Sequence, residues 1–71
     1  VNINYKFVQA YHYLGVAHML KGNDDIALQH LNTALEYNGR YKPAYYLIAE
    51  IFSDNGDEER ARQIIEYANA L

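Results

Sequence analysis

Apolar and small residues return at steps of three and four along most of this chain. Tyr11, Leu14, Gly15 and His18 fall on one helical face, and Tyr45, Ile48, Ala49 and Phe52 repeat that face further on. A second rhythm, Ala27, Leu31, Ala34 and Leu35, returns as Ala61, Ile65 and Ala68. Gly22 and Gly56 follow the first helix of each pair, where a left-handed residue ends a helix without steric cost. Asn23 and Asp57 then offer N-cap oxygens, and Asp24, Asp25, Glu58 and Glu59 put negative charge at the positive end of the next helix. Lys42-Pro43 opens the third helix, since proline is tolerated in a first turn. The pattern predicts an all-α chain of four helices, at 7–21, 24–37, 42–55 and 58–70.

The two halves of that pattern are copies of each other. Displaced by 34 residues, Ala10 meets Ala44, Tyr11 meets Tyr45, Gly22 meets Gly56, Ala27 meets Ala61, Gln29 meets Gln63 and Ala34 meets Ala68. Similar residues fill the gaps, among them Leu14/Ile48, Gly15/Ala49, His18/Phe52 and Leu31/Ile65. Self-similarity at a fixed period of this length indicates a helical repeat array. The small members of each stripe, Gly15, Ala27 and Ala34, then Ala49, Ala61 and Ala68, are expected to admit a neighbouring backbone or a bulky side chain.

With those residues on the page, the chain resembles the tetratricopeptide repeats. Their 34-residue unit carries an aromatic, Leu-Gly, an aromatic, Gly, Ala, a large apolar residue and Ala in fixed order. The first unit answers with Tyr11, Leu14-Gly15, His18, Gly22, Ala27, Leu31 and Ala34, the second with Tyr45, Ile48-Ala49, Phe52, Gly56, Ala61, Ile65 and Ala68. The chain departs from the family at His18, at Ala49, and at Gly39, which stands where proline usually follows the second helix and is expected to loosen the inter-repeat turn. The resemblance implies an α-α superhelix, a solenoid of antiparallel helix hairpins, with repeats at 8–41 and 42–71. Residues 1–7 align with Leu35–Tyr41 and are expected to be the tail of a preceding repeat or a linker, as in a segment cut from a longer protein.

Composition narrows the function classes. The net charge of −3 comes without a basic stripe, so nucleic acid is not an expected partner. No apolar run approaches the length of a membrane span, and the first residues lack the layout of a signal peptide, which gives the expectation of a cytoplasmic chain that does not engage membranes. There is no cysteine. His12 and His18 lie on nearly opposite helix faces and His30 on the next helix, so neither a metal nor another cofactor is expected. Ser53 and Thr33 sit in no nucleophile motif, and the acids fall at helix ends where capping accounts for them; no catalytic residue and no enzymatic role are expected.

The eight tyrosines are the informative excess. Tyr11 and Tyr45 are expected in the core, Tyr37 and Tyr41 at the inter-repeat junction, and Tyr46 pointing away from the helix pair, with His12 and His30 on the surface. In the family, the first helix of each repeat lines a concave groove. The resemblance therefore implies a ligand-binding groove of His12, Val16 and Met19, continued by Tyr46, Glu50 and Ser53, that takes another protein or a peptide. The family's clamp for acidic carboxy-terminal tails is not expected here, because its basic and amide positions are held by His12, Val16, Tyr46 and Glu50, and Glu50 repels a carboxylate. The alternative role is that of a structural spacer or self-associating solenoid segment, joined through the uncapped C-terminal face of Tyr67, Ala68 and Leu71.

Overall fold

The computed structural model describes residues 4–71, in which four helices follow one another: α1 (Tyr5–Leu20), α2 (Asp24–Tyr37), α3 (Lys42–Asp54) and α4 (Glu58–Ala70). α1 packs along α2 and α3 along α4, and the two hairpins meet chiefly through α2 and α3. Both hairpin turns are closed in the same way. Gly22 and Gly56 take φ of +80° and +88°, and the next residue's amide reaches back to the helix, Asn23 to the His18 carbonyl and Asp57 to that of Phe52, both at 2.8 Å. Pro43 sits in the first turn of α3, where no amide proton is needed.

The core runs through the small residues. Ala27, Leu31, Ala44, Ile48 and Ile51 form one buried cluster beneath Met19, Leu28, Leu35, Tyr41, Leu47, Phe52 and Ile64. Ala34, Ala49, Ala61 and Ala68 are also buried, as is Gly15. Equivalent repeat positions part company where only one of them is covered. Ile48 is 7% exposed because the first hairpin lies over it, while its counterpart Leu14 is 41% exposed; Leu31 is sealed beneath α3, while Ile65 is 40% exposed.

Several local expectations shift. α1 starts at Tyr5, two residues before the apolar stripe predicts, because Asn4 accepts the Phe7 amide at 3.2 Å and no proline fixes the later start seen in α3. Residues 5–7 of the expected tail are thus the first turn of α1, and residues 1–3 lie outside the described residues. Asp57 caps α4 by accepting the Arg60 amide, but Asn23 makes no such bond to α2; its side-chain amide lies 3.5 Å from His18 Nδ1 instead. Tyr37 finds its ring partners within the first hairpin. It stacks on Tyr11 with ring centroids 5.9 Å apart and tilts against Phe7 at 5.4 Å, inside the first hairpin. His30 is likewise half-buried, stacked between Tyr11 and His18, and His12 is half-buried as well.

The turn containing Gly39 is held by side chains where the family uses proline. Asn38 Oδ1 accepts the Arg40 amide at 3.1 Å, and the Tyr45 hydroxyl donates to the Gly39 carbonyl at 2.7 Å. Burial, with Tyr67 nearby, pushes the Tyr45 phenol up from its usual pKa and so favours the protonated form that donates this bond.

Candidate functional site

A hollow of about 360 Å³ lies between α3 and α4 on the second hairpin. Its floor is Ala49, Ala61 and Ile65, two of them too small to fill it. Tyr46, Glu50 and Ser53 line one wall, at the three-and-four spacing that stacks side chains on one helix face. The opposite wall comes from Glu58, Arg62 and Glu66 at successive turns of α4. Two bonds set the walls: Ser53 Oγ donates to Glu58 Oε1 at 2.7 Å, and the Tyr46 hydroxyl donates to Asn69 Oδ1 at 2.6 Å. Tyr46 keeps 41% of its surface exposed. The result is an apolar floor with a rim of three carboxylates and one guanidinium, suited to an apolar side chain on a positively charged segment.

The six groove residues read from the sequence divide. Tyr46, Glu50 and Ser53 share the hollow, whereas His12, Val16 and Met19 do not line it. Met19 packs against the buried cluster, and Val16 is half-buried. His12 meets Tyr41 edge-on, with centroids 5.4 Å apart, and Tyr13 at 5.3 Å. Glu58, Arg62 and Glu66 escape a reading that treats the second helix of each repeat as core. The signal that finds them is the repeat itself: Arg62 and Glu66 occupy the slots of Leu28 and Asn32, and Leu28 packs against the cluster beneath α3.

His12 carries a testable consequence. Its Nδ1 is buried without a hydrogen-bond partner, and burial lowers its pKa from the usual 6.5. A lowered folded-state pKa means that the unfolded chain binds the proton more readily. The stability His12 contributes is therefore present above pH 6.5 and lost as pH falls through the lower folded value. His12→Phe keeps a ring against Tyr41 and removes the titration. Its melting temperature should fall less than the parent's between neutral and mildly acidic pH, and equal slopes in thermal melts would dismiss His12 as the source.

Among the described residues no group of three or more His, Cys, Asp or Glu is placed to hold a metal ion, and no helix is long and apolar enough to cross a membrane. Two family models described as tetratricopeptide repeat match the chain, one over residues 8–41 and one over residues 43–69. No curated protein and no solved structure matches it.

Proposed function

The chain belongs to the tetratricopeptide repeat family, whose repeats generally mediate contacts between proteins and are generally non-catalytic, and on that premise we propose that it binds a segment of another polypeptide at the hollow between α3 and α4. The observation that carries this reading is the pairing of an apolar floor, Ala49, Ala61 and Ile65, with the half-exposed ring of Tyr46. Such a surface gains from covering apolar area, and a tyrosine at its edge adds contact and a hydrogen bond at little cost in side-chain freedom. The excess of carboxylates around the rim favours a segment with lysine or arginine beside its apolar residues.

The test compares the parent with Tyr46→Ala and Tyr46→Phe as baits in affinity capture from lysate, read by mass spectrometry. Tyr46→Phe removes only the bond to Asn69, worth about 0.5–1.5 kcal/mol of stability, and so controls for folding. A protein held by the parent and by Tyr46→Phe, and lost from a folded Tyr46→Ala, is the expected result. Identical captures by all three baits would remove the hollow from consideration.

A further inference from the structure

We propose that Asn38 is a site of spontaneous deamidation, with the backbone nitrogen of Gly39 as nucleophile and water as co-reactant, and that the Tyr45 hydroxyl is the latch that sets its rate. The required dipeptide occurs twice, as Asn38-Gly39 and Asn55-Gly56. Glycine is the permissive follower, since no side chain crowds its nitrogen as it approaches the asparagine Cγ. Proline, usual in the family where Gly39 stands, has no amide proton and closes this route.

The two sites differ in the state of the nucleophile. Gly56 N–H donates to the Ser53 carbonyl at 3.0 Å, inside the turn that also ties the Asp57 amide to Phe52, and the Asn55 side-chain amide donates to Asp24 Oδ2 at 3.1 Å. Gly39 N–H donates to no other described residue, and Gly39 is exposed. What restrains Asn38 is a torsion. Its ψ of 96° directs the Gly39 nitrogen away from Cγ, whereas attack needs the two atoms about 3–3.5 Å apart. The Gly39 peptide must therefore turn about the Asn38 Cα–C bond. Three hydrogen bonds oppose that rotation: Tyr41 N–H to the Asn38 carbonyl and Arg40 N–H to Asn38 Oδ1, both at 3.1 Å, and the Tyr45 hydroxyl to the Gly39 carbonyl at 2.7 Å. Only the last comes from a residue seated within α3, so it ties the turn to the packed helices.

The reaction needs no oxidant and no enzyme. A bond forms between the Gly39 nitrogen and Asn38 Cγ, the amide proton passes through water to the side-chain nitrogen, and ammonia leaves a cyclic imide. Water then opens the ring at either carbonyl, giving an aspartyl or an isoaspartyl residue at position 38. Both products carry a new negative charge, and in the isoaspartyl product the main chain runs through Cβ and is longer by a methylene. The change falls on the connection between α2 and α3, the helices through which the two hairpins chiefly meet.

The test is incubation of the 71-residue chain at mildly alkaline pH, with peptide mapping by mass spectrometry at intervals and chromatographic separation of aspartyl from isoaspartyl products. Asn38 should convert first, with both products present, while Asn55 lags. Tyr45→Phe keeps the ring and removes the latch, so it should raise the Asn38 rate about two- to tenfold, the rate equivalent of a hydrogen bond, and leave Asn55 unchanged. Gly39→Pro suits the extended backbone of Asn38 and gives up no hydrogen bond among the described residues; it should suppress conversion at Asn38. Equal rates at Asn38 and Asn55 in the parent would overturn the site, and that comparison stands even if the proline variant does not fold. Persistent conversion in a folded Gly39→Pro would overturn the role of the Gly39 nitrogen. An unchanged rate in Tyr45→Phe, or a rise at both asparagines together, which signals general unfolding, would overturn the latch.

Discussion

Leu31→Ala is expected to leave the chain largely unfolded at room temperature. Leu31 is the largest of the fully buried side chains and sits in the cluster where α2 receives α3, against Ala27, Ala44, Ile48 and Ile51. Truncating a leucine so enclosed costs about 2–5 kcal/mol, the upper part of the range applying where neighbours cannot collapse into the gap. A chain of this size holds only about 3–5 kcal/mol in total from a single core without staples, so the loss consumes most of the margin. The counterpart Ile65→Ala removes a side chain that is 40% exposed at the floor of the hollow, and should cost about 1 kcal/mol. Urea titrations followed by helical circular dichroism separate the two. Equal losses at Leu31 and Ile65 would mean that the cover provided by α3 contributes nothing to the first hairpin.

That contrast marks where the sequence is legible and where it is not. Helix order, turns and the alanine stripes follow from periodicity, because the steric demands of Gly22, Gly56, Ala27, Ala34, Ala61 and Ala68 are local to a hairpin. Exposure at Leu14 and Ile65 is not local: it depends on which hairpin face lies next to another, and a repeat pattern gives both copies the same residue class. The site suffers from the same ambiguity. Tyr46, Glu50 and Ser53 are readable as one face of a helix, but their pairing with Glu58, Arg62 and Glu66 needs the angle between α3 and α4. Aromatic partners are harder still. Tyr37 turns back onto Tyr11 and Phe7 because stacking there covers three rings at once, which residue spacing does not reveal.

Gly15 and Leu31 form a lock whose strength can be read by substitution. A Cβ placed at Gly15 would stand 2.7 Å from both Cγ and Cδ2 of Leu31 and 3.4 Å from the Ala27 carbonyl oxygen. The Cγ is not the free end of a side chain, and Leu31 is enclosed, so it has nowhere to move. Valine at this position improves helix propensity over glycine by a few tenths of a kcal/mol but overpacks the core, for a net loss of about 2–3 kcal/mol. Alanine gains about 1 kcal/mol in propensity and adds a single methyl, which leaves a net loss of about 1 kcal/mol. The second hairpin shows the alternative pairing, with Ala49 in the slot of Gly15 and Ile65 in that of Leu31. Gly15→Ala combined with Leu31→Ile installs that pair in the first hairpin. The double variant should be more stable than the sum of its singles by at least about 0.5 kcal/mol, the coupling expected of residues in direct contact. Strict additivity in urea midpoints would show that the clash relaxes through the backbone, and that the glycine is needed for the approach of helix to helix instead of for the leucine it faces.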